Sequence, residues 1–373
     1  MIYIEFYCLP CIMDVDDKRG IAMKEKIHVV SVYSIIHFIV DFSCSILIAG
    51  LIAPAAAGTY NLFIGILLYN MFAFAFQLPF GLIADKLNKN ALVSSAGCGF
   101  IILAYMVSGF NVLSCVIAGI GNALFHVGGG IDVLNISNKR AGLLGIYVAP
   151  GALGLFLGGN MVKYGFNQFY AVVIILAVSI LVLLHLYKAV KTKYGINNEL
   201  PLIEINRSSF LIAACILFTV CMRGYVGLIL NFSWKADFYT ALAFVLGVVS
   251  GKIAGGIISD KFGLIRTSLA SLITSAILFV FSFDNSFFGI AAVLLFNMTM
   301  PVTLIVLSNM FNNNKGFAFG LTTFALFIGA LPVLFGFRDV LFNPSGIFII
   351  IVLSALALYI GIKEYNKLSE SNR

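Results

Sequence analysis

Few polar side chains interrupt the long apolar stretches of this chain, and those few recur at helical spacing. Ser34, His37, Asp41 and Ser45 follow one another at steps of three, four and four, which puts them on one helix face. His37 and Asp41 are one turn apart, within reach of a mutual hydrogen bond. Thr219, Arg223, Gly227 and Asn231 recur at steps of four. Asn122 and His126 are one turn apart and precede Gly128, Gly129, Gly130 and Asp132. Lys252 lies eight residues before Asp260, about 12 Å along a helix. A charge inside a bilayer costs at least about 2.5–3.5 kcal/mol, so where one persists it faces a cavity or a partner. His37, Asp41, Asn122, His126, Arg223 and Lys252 are therefore the expected substrate and proton-coupling residues. Histidine beside a carboxylate suits proton handling. Asp41 and Arg223 are expected to pair across the molecule in one state. With Lys252, Arg223 gives two cations against one Asp41, a balance that suits an anionic compound. Bland readings stand beside these: a helix–helix hydrogen bond for the first stripe, backbone carbonyls for Arg223, packing for His126 and snorkelling for Lys252. The glycine run is expected to be a hinge or a close crossing. Asn70, Gln77, Asn297 and Thr303 are lesser lining candidates.

The elements that position these residues must be membrane helices. The 373 residues are 61% hydrophobic and 10% charged, with a mean hydropathy of +1.04. Soluble domains carry roughly 25% charge. The composition excludes a soluble globule, a disordered chain, a coiled coil and a nucleic-acid binder, despite a net charge of +7. Twelve apolar runs are long enough to span, at 27–53, 60–84, 91–109, 111–134, 141–162, 167–187, 209–231, 237–259, 268–285, 287–310, 317–336 and 345–363. They predict a cytoplasmic tail over 1–26, a six-helix bundle over 27–187, a polar cytoplasmic linker over 188–208, a second bundle over 209–363 and a cytoplasmic tail over 364–373. Of the 23 Lys and Arg, Arg223 and Lys252 lie inside helices. Lys163, Lys235 and Arg338 fall in outer loops, and the other 18 fall in inner segments once both termini are cytoplasmic. The run up to Met23 is too short to span, and translation from Met23 is an open alternative to Met1. Short loops favour a bacterial inner membrane. Cys8 and Cys11 form a CxxC without a βαβ context, so no redox or metal role is expected there.

The two halves repeat at an offset of 175 residues. Gly81 aligns with Gly256, Asp85 with Asp260, Lys86 with Lys261, Asn122 with Asn297, Gly145 with Gly320 and Gly154 with Gly329. The loops after the second and eighth runs read Gly81-Leu-Ile-Ala-Asp85-Lys86-Leu-Asn88-Lys89 and Gly256-Ile-Ile-Ser-Asp260-Lys261-Phe-Gly263-Leu-Ile-Arg266. The Gly allows close helix approach. The Asp suits a basic partner or the N-terminus of a neighbouring helix. Asn88 stands where the second copy has Gly263, and Asn also tolerates the left-handed turn. Such a loop can latch one conformation and release in another. Gly81, Asp85, Lys86, Gly256, Asp260, Lys261 and Arg266 are the expected switch residues.

Both loops resemble the signature loop of the major facilitator superfamily, and the resemblance extends over nearly the whole chain from residue 27. It implies an all-α membrane protein of twelve helices in two pseudo-symmetric six-helix bundles, working by alternating access. The stretches Gly119–His126, Val148–Gly154 and Met222–Gly227, with Arg140, resemble the fosmidomycin-resistance branch. That branch implies proton-driven efflux of a small toxic or partly apolar compound. The alternative is uptake of a small organic anion or nutrient by the same fold, and a distant alternative is an integral membrane enzyme. The chain shows no HExxH, GxSxG or ATP-binding motif, and its intramembrane histidines 37, 126 and 185 are scattered over three helices. No catalytic set, metal site or cofactor is expected, and ATP and nucleic acid are not expected partners. The expected partners are a small-molecule substrate, protons and the lipid bilayer, with the chain a monomer.

Overall fold

In the computed structural model the described residues are 23–165, 169–190, 206–337 and 339–371, and they are almost entirely helical. The chain runs α1 (Met23–Ala55), α2 (Tyr60–Leu87), α3 (Asn90–Met106), α4 (Asn111–Ile136), α5 (Gly142–Lys163) and α6 (Phe169–Val190). The second series is α7 (Arg207–Ile229), α8 (Phe238–Phe262), α9 (Leu264–Val280), α10 (Ser286–Met310), α11 (Lys315–Leu334) and α12 (Pro344–Ser371). Ten helices are long and apolar enough to cross a membrane, and α3 and α9 are shorter apolar helices. The chain is an integral multi-pass membrane protein.

Each expected span is present, with shifted ends. The first helix is described from Met23, and residues 1–22, including Cys8, Cys11 and the choice of start, lie outside the described residues. α6 continues to Val190, inside the expected linker, and 191–205 lie outside the described residues. Asn206 caps α7 by accepting from the Ser209 N–H at 2.8 Å. The expected C-terminal tail is largely a continuation of α12 to Ser371.

The two large apolar cores centre on the two halves, and the first also takes in Leu304, Ile305 and Phe319 from α10 and α11. One gathers Tyr33, Tyr105, Phe125 and Tyr147 from α1, α3, α4 and α5. The other gathers Ile216, Phe279, Phe296 and Ile351 from α7, α9, α10 and α12. Lipid-facing side chains such as Ile174, Leu181, Phe210 and Leu356 are exposed, as an apolar solvent permits.

Local breaks in the helices follow the sequence. α1 and α2 carry π-helical segments at Leu47–Ile52 and Met71–Ala75. α5 breaks at Ala149, just before Pro150, whose ring nitrogen has no hydrogen to give to Ile146. α4 runs unbroken through Gly128–Gly130, and the run makes a close crossing. A Cβ at Gly129 would meet the Tyr147 hydroxyl at 2.7 Å, and one at Gly130 would meet the Phe319 ring at 2.6 Å.

Candidate functional site: two latches and a buried polar cluster

The α2–α3 and α8–α9 loops lie at one end of the molecule, where each reaches the other half. The Asp85 carboxylate accepts from the N–H groups of Gly316 (2.7 Å) and Phe317 (2.9 Å) at the start of α11. Asp260 accepts from those of Ala141 (2.7 Å) and Gly142 (2.8 Å) at the start of α5. A helix N-terminus presents unpaired N–H groups and partial positive charge, so each contact is charge-assisted. Each Asp reaches into the other half, and the acceptor pairs 85/260 and donor pairs 141–142/316–317 are related by the sequence offset of 175. Gly81 and Gly256 bring the backbones together, against Gly316 and Ala141 respectively. Asn88 adopts φ 47°, ψ 42° and Gly263 φ 91°, so both loops turn in the left-handed half of the map. Lys86, Lys261 and Arg266 are exposed. It is the helix N-termini, not these basic residues, that hold the carboxylates. At the opposite end the halves touch through rings, such as Phe63 with Phe335 and Phe156 with Phe238.

The break in α5 builds the buried site. Three consecutive carbonyls around it accept side-chain hydrogen bonds: Ile146 from Ser34 (3.3 Å), Tyr147 from His37 Nδ1 (2.8 Å) and Val148 from Lys252 Nζ (3.0 Å). Ile146 is the carbonyl that Pro150 leaves without a helical donor. Gly151, Gly154 and Gly158 then let α5 lie directly on α1. The polar stripe of α1 is thus packed on α5 and α4, with Ser45 donating to Leu155 O at 2.8 Å, and does not line an open channel along its length.

His37, Asp41, Asn122 and His126 form one cluster. Asn122 Nδ2 donates to Asp41 Oδ1 at 2.9 Å. His37 Nε2 lies 3.3 Å from Asp41 Oδ2, and His126 Nε2 lies 3.7 Å from Asp41 Oδ1. His126 Nδ1 donates to Asn122 O at 2.8 Å. The two Nε2 atoms face each other at 2.8 Å. Because both Nδ1 atoms donate to carbonyls, which only accept, the neutral form of each ring has its lone pair on Nε2. Two lone pairs at that distance repel, so the contact calls for a proton or a cation held between them. The histidines expected to be scattered are brought together by the α1–α4 crossing, and with Asp41 they form a set able to hold a metal ion, their ligand atoms all within 4.8 Å of one another. His185 stays apart, exposed on α6.

The cations sit on the second half. Arg223 is buried and donates to Thr303 Oγ1 at 3.1 Å. It is not ion-paired with Asp41 in this arrangement, because Asp41 is already held by Asn122 and the two histidines. Lys252 turns to the Val148 carbonyl across the interface between halves, and so does not snorkel to the surface. It lies within electrostatic reach of both Asp41 and Arg223. Among the described residues, neither cation is in an ion pair with a carboxylate. Asn70, Gln77 and Asn297 each donate to a carbonyl four residues back in their own helices.

Sequence reasoning gave no role to Tyr33, Asn90, Tyr147 or Gly151. Tyr33 and Asn90 hold the buried Asp132 carboxylate at 2.6 and 2.8 Å, and the signal for this second polar cluster was Asp132 inside an apolar run. Trp234, the sole Trp, donates to Ser282 O at 2.8 Å and stacks on Phe232.

No family model matches the chain, and no curated protein matches its sequence. Solved structures do match. The E. coli fucose:proton symporter, described as a major facilitator superfamily transporter, aligns at TM-score 0.64 and 10% identity over 91% of this chain and 99% of its own. The human organic anion transporter TETRAN aligns at TM-score 0.66 and 13% identity over 90% and 99%. A bacterial homologue of the iron transporter ferroportin, in an outward-facing state, aligns at 0.57 and 12% over 92% and 99%. With the crossed latches and the repeat, these likenesses identify the architecture: the chain has the major facilitator fold, twelve helices in two pseudo-symmetric six-helix bundles.

Proposed function

We propose that this protein is a secondary active transporter that moves a small molecule by alternating access, and that it exports a small toxic or partly apolar compound in exchange for protons. The observation that carries the transporter reading is the pair of crossed latches, hydrogen-bonded at one end of the molecule while aromatic rings meet at the other. A rigid membrane protein has no need of such releasable, symmetry-related contacts, whereas rocking bundles do. Between the halves, at mid-depth, His37, Asp41, Asn122 and His126 on one side and Arg223 and Lys252 on the other supply the polar surface on which cargo and driving ion act. Both termini face the cytoplasm of a bacterial inner membrane, and the chain works as a monomer, without ATP.

A second reading has its own support. Among the described residues Arg223 and Lys252 are inside the bundle without a carboxylate ion pair, and an anionic cargo satisfies both. On this reading the transporter takes up a small organic anion.

Expression in a pump-deleted bacterial host, scored for growth against a panel of toxic compounds, separates the two. Export predicts resistance that Asp41→Asn and Arg223→Gln lose and that a protonophore abolishes. Uptake predicts the reverse, sensitisation to toxic anions, lost above all in Arg223→Gln. A wild-type protein that moves nothing in either direction, in cells or in proteoliposomes, overturns the transporter reading.

A further inference from the structure

Two imidazoles and a carboxylate inside a membrane bundle, with their free atoms converging, do more than pack. We infer that His37 Nε2, His126 Nε2 and the Asp41 carboxylate form a binding site for a divalent transition-metal ion of the class that prefers imidazole, such as zinc(II) or iron(II). As a statement about cargo this rests on the transporter reading above. As a statement about binding it does not.

The donor geometry suits the ion. The Nε2 atoms are 2.8 Å apart, and the carboxylate oxygens lie 3.3 and 3.7 Å from them. Zinc bonds nitrogen at about 2.0–2.1 Å, which in a tetrahedral site separates neighbouring ligand atoms by roughly 3.3 Å. The carboxylate is already at such spacing, and the two imidazoles need to open by about half an ångström. Both rings are oriented through Nδ1 by a backbone carbonyl, Tyr147 for His37 and Asn122 for His126. That outer contact is how metal-binding histidines are held, since it fixes the tautomer and turns the Nε2 lone pair to the ion. Asn122 orients the third ligand by donating to Asp41 Oδ1.

A glycine lets the backbone of α5 pack directly against the donors. A Cβ at Gly151 would collide with both Asp41 Oδ2 and His37 Nε2. No side chain larger than hydrogen fits at this position without displacing two of the three ligands.

The site also has a selectivity. Magnesium and calcium demand six or more oxygen ligands, and this set offers two nitrogens. Three protein ligands leave a coordination position for water or for a cargo anion. That distinguishes the site from closed structural zinc sites of four ligands and makes release feasible. Lys252 and Arg223 lie on the far side and oppose a bare dication. The open position therefore favours an ion that arrives with an anionic ligand, which the two cations then face.

The purified full chain in nanodiscs is titrated with zinc(II) by calorimetry, with magnesium(II) as the contrast, and its bound metal is read by X-ray absorption. The expected result is one zinc per chain, no magnesium, and a first shell of two imidazole nitrogens plus oxygen. Affinity falls at least tenfold in His37→Asn, His126→Asn and Asp41→Asn, while His185→Asn, on the exposed face of α6, binds as wild type. Monodispersity of each variant separates lost binding from lost folding. Absence of zinc binding by wild type, or undiminished binding by folded His126→Asn, overturns the inference. In either case the host-resistance and protonophore results still judge the transporter reading, and the imidazole pair then holds only a proton. Zinc flux into proteoliposomes that vanishes in His126→Asn supports the ion as cargo.

Discussion

At the residue scale the site depends on one missing side chain as much as on the polar ones present. Gly151→Ala places a methyl group against Asp41 Oδ2 and His37 Nε2. The neighbours are a helix-borne carboxylate and a ring pinned at Nδ1, so neither yields freely. Overpacking of this kind costs about 1–3 kcal/mol. The variant is expected to insert and remain monodisperse but to lose zinc affinity and initial transport rate by tenfold or more. Gly99→Ala, on α3 with nothing within 4 Å of its Cβ, keeps both. Equal behaviour of the two variants removes the steric role assigned to Gly151. The sequence displays the polar members of this cluster because a charged or amide side chain stands out in an apolar run. It does not display Gly151, one of 35 glycines in the chain. Nor does it display the carbonyls of Tyr147 and Val148, since backbone acceptors carry no letter. Which polar residues meet is a tertiary fact: the one-turn spacing foretells that Asp41 meets His37, but not that Asn122 and His126 join them in this arrangement.

At the element scale Pro150 divides α5 and frees the Ile146 carbonyl that receives Ser34, next to the Tyr147 and Val148 carbonyls that receive His37 and Lys252. Proline inside a helix costs about 3 kcal/mol, so its position trades helix stability for a polar seam. Pro150→Ala returns an N–H to the Ile146 carbonyl and permits a continuous α5. Its expected outcome is opposite in two assays: an unchanged or higher thermal midpoint, with transport reduced more than tenfold. A lower midpoint together with full transport contradicts the proposed origin of the seam. The elements themselves were legible almost throughout. Each of the twelve apolar runs is a helix, because a bilayer leaves an isolated span no other way to satisfy its backbone. The ends moved where polarity misleads. α12 continues through Lys363, Glu364 and Lys367, where an ion pair between the last two at 2.6 Å spans one turn. α1 includes Lys24 and Lys26, ahead of the expected start at 27, because lysines in a first turn do not stop a helix.

At the scale of the whole molecule the repeat offset foretells the contacts as well as the helices. Gly145 lies against Lys252 O as Gly320 lies against Gln77 O, and residues 77/252 and 145/320 are offset partners. The sequence could show that the halves match; that each half's Asp caps a helix of the other needed the fold. On the proposed mechanism those caps decide which end is closed. A hydrogen bond to a charged group contributes about 1.5–3 kcal/mol, and each Asp makes two. Asparagine keeps one acceptor oxygen and turns an N–H₂ group toward the second donor. One Asp→Asn change then weakens the inner-closed arrangement by roughly 2 kcal/mol, about thirtyfold in its equilibrium with the open one. The two latches share no residue, so their losses are expected to add. Spin labels at exposed positions 86 on α2 and 313 on the α10–α11 loop report the inner gap across the halves. Wild type is expected to give mainly the short distance, Asp85→Asn and Asp260→Asn mixtures, and the double variant mainly the long one. Because alternating access needs both arrangements populated, the double variant is expected to transport slowly even though its cargo site is untouched, and zinc affinity provides that control. A double variant that keeps the short distance removes the latches from the mechanism, and with them the strongest argument that this fold rocks.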